Sequence, residues 1–143
     1  MIDNNRSDAS VTQLSRIMFH DETLEDTLSF SNATATSNPE GNTNEKANKL
    51  IDLSTSTKLC ISNYTPSSSN PIIIIIDLQT NVDFSHYNIW EWWTANDHSE
   101  RDPITFKLYL SKDGTSYTLV DSADSISPTT NRTSLGYSGN ITF

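Results

Sequence analysis

Apolar residues recur along the chain in short stretches, separated by polar segments rich in Ser, Thr and Asn. In the clearest stretch, residues 104–110, every second side chain is apolar, which is the pattern of a strand with one buried face. Residues 72–76 are five consecutive isoleucines, which favour a strand over a helix and indicate burial on both faces. The chain has no long segment with the period of an amphipathic helix.

Further strands are predicted elsewhere in the chain, at residues 27–36, 58–64, 82–94, 117–120 and 133–143. A Lys-Asp-Gly-Thr sequence at residues 112–115 predicts a tight hairpin turn, because Asp-Gly readily adopts positive φ. Residues 45–53 fit either a single helical turn or an ordered loop. Short strands with turns between them and no long helix predict an all-β domain, a β-sandwich.

Residues 1–26 are polar and charged apart from one patch, residues 11–19. Leu14, Ile17 and Met18 fit one helical turn, whereas residues 13–17 alternate loosely like a strand, so periodicity alone leaves both open. We divide the chain into an N-terminal arm, residues 1–26, and a sandwich domain, residues 27–143.

Composition and charge narrow the classes of partner. Ser, Thr and Asn make up 53 of the 143 residues, and only 34% of residues are hydrophobic, which suits strand faces and turns. Eighteen acidic against nine basic residues give a net charge of −9, which argues against nucleic-acid binding and against anionic membranes. The longest apolar run is too short to cross a bilayer, and the first twenty residues show no secretory signal.

Four segments resemble a known family in their order and spacing. They are residues 44–58, residues 71–78 (PIIIIIDL), residues 94–103 (TANDHSERDP, the sharpest match) and residues 108–120 with the Asp-Gly turn. Together they are similar to the galactose-binding-like jelly roll of coagulation-factor type C (discoidin) domains and several carbohydrate-binding modules. The resemblance implies a jelly-roll β-sandwich of about eight antiparallel strands.

The end of the chain departs from that family, whose last strand reads like Q-L-x-E-I-x-L-F. The chain stops at Phe143 before such a strand, but residues 13–19 (QLSRIMF) resemble it. We therefore expect a rearranged strand, marked by Gln13, Leu14, Ile17 and Phe19, that closes its own sandwich or that of a neighbouring copy. A slice of a tandem array and a disordered polar arm are the alternatives. An unclosed sandwich would expose a strand edge to another chain.

The resemblance also implies a structural calcium ion, held by Asp52, Ser54 and Thr57 with nearby backbone carbonyls such as that of Lys49. Calcium takes six to eight oxygen ligands and favours several carboxylates. Arg16 stands where the family has its second carboxylate. A guanidinium in that place could substitute for the cation and pair with Asp52.

An aromatic-rich stretch, residues 87–93, is the first candidate for sugar binding. Aromatic faces stack on sugar rings while polar neighbours bind the hydroxyls. Strand alternation would send Trp90 and Trp92 to one face, and Glu91 and Trp93 to the other. Core packing is the competing interpretation of these tryptophans.

A loop at residues 94–103 is the second candidate, because related sugar-binding modules carry their sites in loops at one end of the sandwich. Its candidate ligand-binding residues are Asn96, His98 and Arg101. The competing interpretation is an ion-pair cluster of Asp97, Arg101 and Asp102 that only fixes the loop.

Catalytic motifs are not found. The three histidines lack metal-binding spacing, and the chain has no G-x-S-x-G sequence and no Gly-rich phosphate loop. Cys60 is the single cysteine and is predicted to be a buried small apolar side chain. We expect a protein that is not an enzyme.

These features favour a structural and binding module on a virion surface, such as a capsid-decorating, tail or fibre protein with glycan adhesion. The expected partners are other copies or other subunits of a larger assembly, together with a cell-surface glycan. The alternative is an adhesion module that binds carbohydrate as a monomer or within a tandem array on a larger extracellular protein. The expected location is a virion surface or the extracellular space.

Overall fold

A computed structural model of the protein describes residues 1–5, 10–127 and 129–143. The chain is all-β, with several antiparallel sheets in an arrangement consistent with a β-sandwich. The strands of the described residues are Ile2–Asn5 (β1), Val11–Leu14 (β2), Arg16–His20 (β3), Thr34–Asn38 (β4), Leu59–Ser62 (β5), Ile73–Asp77 (β6), Ile89–Trp93 (β7), Pro103–Leu110 (β8), Thr118–Ala123 (β9) and Leu135–Asn140 (β10).

One group of strands follows the order β4-β6, then β1-β8-β9. A bridge joins its two parts, because Ile2 and Ile72 exchange both backbone hydrogen bonds, at 2.8 and 2.9 Å. The hairpin between β8 and β9 turns at Gly114, whose φ of 71° confirms the predicted Asp-Gly turn.

A second group contains β10-β7-β3 and β2-β5. Ser15 lies between β2 and β3, and its N–H donates to the carbonyl of Trp93 at 2.9 Å. The segment from Val11 to His20 therefore pairs along almost its whole length, first with β5 and then with β7.

Apolar side chains from both groups pack into one core. Trp90 of β7 meets Phe106 of β8 edge to face, with ring centroids 5.1 Å apart, so the two groups face each other. Gly136 lies directly against the ring of Trp92, where a Cβ would come within 2.1 Å of the indole. The core members are Ile2, Leu14, Phe19, Leu28, Phe30, Ala47, Leu50, Leu59, Ile61, Ile72, Trp90, Trp92, Phe106, Val120 and Ile141.

Asp121 supplies a polar contact at the edge of this core. Its Oδ2 accepts hydrogen bonds from the indole N–H of Trp90 at 2.7 Å and the hydroxyl of Tyr137 at 3.0 Å. Burial, together with the bond to Asp121, raises the pKa of Tyr137 to about 12. Cys60 is buried as predicted.

The N-terminal segment forms more of the sheets than the sequence predicts. Within residues 1–5 and 10–26 the structure has three strands, β1, β2 and β3, where one closing strand and a separate arm were expected. Residues 6–9 lie outside the described part of the chain. The four residues of the predicted assembly strand pair within the same chain: Gln13 opposite Cys60, Leu14 opposite Leu59, Ile17 opposite Trp92 and Phe19 opposite Trp90.

The isoleucine run needs a correction. Ile72 is fully buried, but Ile73 and Ile75 are 41% and 47% exposed, so β6 is not buried on both faces. The physical reason is position: β6 pairs with β4, and nothing in the described residues covers the outer face of that pair. The strand predicted at residues 27–36 begins only at Thr34.

Helices in the described residues are two short 3-10 turns, Ala47–Leu50 and Ser99–Arg101. The first corresponds to the helical turn that was one alternative for residues 45–53. No helix in the described part of the chain is long and apolar enough to span a membrane.

Candidate functional site

Trp90 and Trp92 cannot be the sugar-stacking residues that the sequence suggests. Each is only 4% exposed, and both belong to the core. A ring must offer an open face to stack on a sugar, and these faces are covered by other side chains. The predicted strand alternation itself is correct, because Trp90 and Trp92 share the inner face of β7.

Trp93 and Glu91 lie on the other face of β7. The indole N–H of Trp93 donates to Glu91 Oε2 at 3.0 Å. The Arg16 guanidinium carbon sits 3.9 Å from the centre of the Trp93 ring, in a cation–π contact. The face of Trp93 is thus occupied by a side chain of the same protein.

The loop after β7 is bound by Lys58, the residue that precedes β5. Its ammonium lies 2.8 and 2.9 Å from the two carboxylate oxygens of Asp97. Burial of Asp97 opposes its ionisation, but the hydrogen bonds from Lys58 and Gln13 and the charges of Lys58 and His98 together outweigh it and keep the pKa of Asp97 below its usual value. Gln13, completely buried, donates its amide to the carbonyls of Asp97 and His98.

A second ion pair fixes the end of the same loop. Arg132 binds the buried Asp102 through two parallel hydrogen bonds, at 2.8 and 2.6 Å. Its Nε also donates to the carbonyl of Ala95 at 3.1 Å. Two-point pairing of this kind holds both groups in one orientation. The carboxylates of Asp97 and Asp102 therefore serve to fix the loop.

Asn96 and His98 are exposed on this loop, and Arg101 is half-buried. His98 has a left-handed backbone, with φ of 44°, and its ring contacts Glu100 Oε1 at 3.1 Å. Asn96 lies 3.5 Å from the Lys58 ammonium. The structure brings the three residues onto one loop but shows no aromatic face beside them, since Trp90 and Trp92 are buried.

The loop that follows the first 3-10 turn brings the predicted calcium ligands together. One carboxylate oxygen of Asp52 accepts the N–H of Ser54 and the hydroxyl of Thr57, each at 2.9 Å. The ammonium of Lys49 lies 3.9 Å from the other oxygen. Asp52 therefore acts as the acceptor that closes the loop.

Calcium does not fit this set of residues. Asp52 is its one carboxylate, and Arg16 brings a positive charge to the loop by donating to the carbonyl of Leu53 at 3.3 Å. Among the described residues no group of three or more Asp, Glu, His or Cys side chains is arranged to hold a metal ion. Arg16 thus reaches this loop as expected, though its hydrogen bond goes to Leu53 and not to Asp52.

A groove of about 330 Å³ opens at a different place, between residues 28–32 and residues 78–87. That volume is at the lower end of the range for small-molecule sites. Leu28, Leu78 and Val82 are the apolar residues of its lining, and Tyr87 adds a half-buried aromatic ring. The polar lining residues are Ser29, Ser31, Asn32, Thr80, Asn81 and Asp83.

Local hydrogen bonds shape both walls of the groove. Asp83 Oδ1 accepts the N–H and the hydroxyl of Ser85, and its carbonyl accepts the N–H groups of His86 and Tyr87. On the opposite wall, the N–H of Ala33 donates to the carbonyl of Phe30 at 2.9 Å. A turn held by an Asp side chain, like the one at Asp83, is what Asp favours in loops.

Tyr87 is held in place by an acidic residue from a distant loop. Its hydroxyl donates to Asp26 Oδ2 at 3.2 Å, and His86 Nε2 lies 3.0 Å from the same oxygen. The hydrogen bond to Asp26 raises the pKa of His86, and the nearby charges of Asp21 and Asp83 add to the effect. This cluster fixes the aromatic ring at the edge of the groove.

A further polar row lies close in sequence to this cluster and was not predicted. Thr27 Oγ1 is 2.8 Å from Nδ1 of the buried His20, whose Nε2 is 3.6 Å from Glu91 Oε2. The residue types match a hydrolytic triad, but 3.6 Å is too long for a hydrogen bond. We interpret the row as a brace between β3, β7 and the loop at residue 27.

The groove and the predicted loop site lie at opposite ends of β7, since Tyr87 precedes that strand and residues 94–102 follow it. Sequence reasoning included residue 87 in the aromatic-rich stretch, but it did not identify Asn32, Asn81 and Asp26 as site residues. The only local signal in the sequence was a polar loop in each of the two segments that form the walls. The two walls are about fifty residues apart in sequence, so their meeting depends on the sheet.

Comparison with models of protein families, with curated proteins and with solved structures found no match. The likeness to galactose-binding-like domains therefore stays a prediction. The function is therefore inferred from the geometry of the described residues.

We predict that Asp102→Asn lowers the free energy of unfolding by about 3 kcal/mol, because it leaves the Arg132 guanidinium without its charged partner. Urea unfolding measures this. The control is Glu40→Gln, which removes an exposed pair with Lys46 (2.7 Å) and should cost less than about 1 kcal/mol. Equal losses in the two variants would contradict the bracing role of the buried pair.

We also predict that neither millimolar calcium nor EDTA shifts the melting temperature, because Arg16 already supplies positive charge to the loop. The substitution Arg16→Ala should lower the free energy of unfolding by about 0.5–2 kcal/mol, because the cation–π contact with Trp93 is lost. Lys112→Ala, at the exposed hairpin turn, is the control. A rise in melting temperature with calcium in the unsubstituted protein would show that this interpretation is wrong.

Proposed function

We propose that the protein is a non-enzymatic binding module that attaches to glycans through the groove between residues 28–32 and 78–87. The observation that carries this proposal is the combination of one aromatic ring and three apolar side chains with several uncharged polar groups around one groove. Sugars present apolar C–H faces and ring hydroxyls, and this lining offers a partner for each.

The polar groups of the groove are available for a ligand. Among the described residues, the side chains of Asn32, Thr80 and Asn81 make no hydrogen bond within the protein. An amide both donates and accepts, which matches the dual character of a sugar hydroxyl. The loop at residues 94–102 contrasts with this, because its carboxylates are already paired.

The finer fold proposed is a galactose-binding-like jelly roll with a rearranged closing strand. Its support is the pairing of β3 with β7 and of β2 with β5, in the same chain. Closure within one chain favours a self-contained adhesion module over strand exchange between copies. The proposed location of the module is a virion surface or another extracellular assembly.

A glycan array followed by NMR titration tests this function. We predict that Tyr87→Ala weakens binding about tenfold, because one stacked aromatic contributes on the order of 1–1.5 kcal/mol. Tyr117→Ala is the matched control, since Tyr117 is 52% exposed and lies outside the groove. Binding that survives Tyr87→Ala, or shifts confined to residues 96–101, would contradict the assignment of the groove.

A second candidate function is assembly into a larger particle. Ile73 and Ile75 expose apolar surface on the outer face of β6, and β4 beside it pairs with no other strand in the described residues. Residues 34–37 of β4 are uncharged, whereas exposed edges are normally protected by charge or proline. This edge suits contact with another copy or another subunit.

For assembly we predict reversible self-association that Ile75→Lys abolishes, because a charge would be buried in the contact. Sedimentation velocity at rising concentration measures it. The control is Leu119→Lys, a residue of similar exposure on β9. Point substitution is the suitable design, because removing residues 1–22 would delete β1, β2 and β3. A monomer at every concentration would contradict self-association.

A further inference from the structure

No Lys or Arg is among the described residues that line the groove. Residues 17–45 and 59–100, which supply both of its walls, contain no Lys and no Arg. Carboxylate, sulfate and phosphate groups are recognised in proteins mainly by these two residue types. A negatively charged ligand would therefore find no strong counter-charge in the groove.

Acidic side chains border the same region. Asp83 lines the groove, and Asp26 contacts the hydroxyl of Tyr87. The charges of Asp26, Asp21 and Asp83 all favour the protonated form of His86, the one side chain of this cluster that can carry a positive charge. His86 is already engaged with Asp26 at 3.0 Å. The local field is negative, and it repels anions as they approach.

The groups that remain for ligand contacts are uncharged. Asn32 and Asn81 offer amides, and Ser29, Ser31 and Thr80 offer hydroxyls. These groups form hydrogen bonds with neutral hydroxyls and acetamides without the desolvation of a full charge. Selectivity for neutral over negatively charged ligands then comes from repulsion by the acidic side chains at the border, as well as from hydrogen bonds within the groove.

We propose that the groove takes uncharged saccharides and excludes sialylated and sulfated ones. This inference rests on the glycan-binding function proposed above.

The test is an array printed with neutral oligosaccharides, each beside its sialylated and sulfated form, probed with the full chain. The expected result is at least about tenfold stronger binding to the neutral member, because several like charges act over a few Å to 10 Å. The gap should narrow as salt is raised, since screening weakens the repulsion.

The substitution Asp26→Asn removes one negative charge from the border of the groove. It keeps an oxygen that can accept the hydrogen bond from the Tyr87 hydroxyl. It should raise binding of the sialylated member relative to the neutral member by about two- to fourfold. The matched control is Asp124→Asn, an exposed acid after β9, at the end of the sheets opposite the groove, which should change nothing. Amide spectra of both variants confirm that they are folded.

The outcome of the glycan array either supports or overturns the proposal. Equal or stronger binding of the sialylated or sulfated member overturns this inference and leaves the glycan-binding function standing. Binding of no glycan at all overturns both. A groove that binds oligolysine in place of any glycan also overturns both, because the acidic border would then be the recognition element itself.

Discussion

Strand β7 is the element on which the rest of the structure depends. It lies between β3 and β10, and its alternation divides four consecutive large side chains between two faces. Trp90 and Trp92 turn inward, and in a chain with 34% hydrophobic residues two buried indoles supply a large share of the core. Glu91 and Trp93 turn outward, where they meet Arg16 and His20. The N-terminal and C-terminal strands are thereby fastened to the same central strand.

The two ends of β7 have different chemical character because their charges are used differently. After Trp93, the loop is braced by Lys58–Asp97 and Arg132–Asp102, whose charged groups are already saturated by each other. Paired and partly buried charges have little capacity left for a ligand. Before Ile89, the groove is lined by amides and hydroxyls together with apolar side chains, the ring of Tyr87 and the carboxylate of Asp83. One end is therefore suited to rigidity and the other to recognition.

Arg16 connects β3 to β7 and to the loop that contains Asp52. Its backbone begins β3, its guanidinium stacks on Trp93, and it donates to the carbonyl of Leu53 in the loop of Asp52. A covalently attached cation cannot dissociate or be chelated, unlike a bound metal ion. This loop is thus held by the chain's own charge, and its shape depends on the pairing of β3 with β7.

Local chemistry determined what the sequence by itself could predict: the all-β class, the Asp-Gly turn at Gly114, the burial of Cys60 and the division of Trp90 from Trp93. Each of these depends on neighbouring residues or on the two-residue period of a strand. The tertiary structure alone decided that Ile73 and Ile75 face outward, that residues 2–5 form a strand and that Asp26 meets Tyr87. These outcomes depend on which strand becomes a neighbour and which face is covered. Pairing between distant segments is set by packing of the whole core, and no local pattern records it.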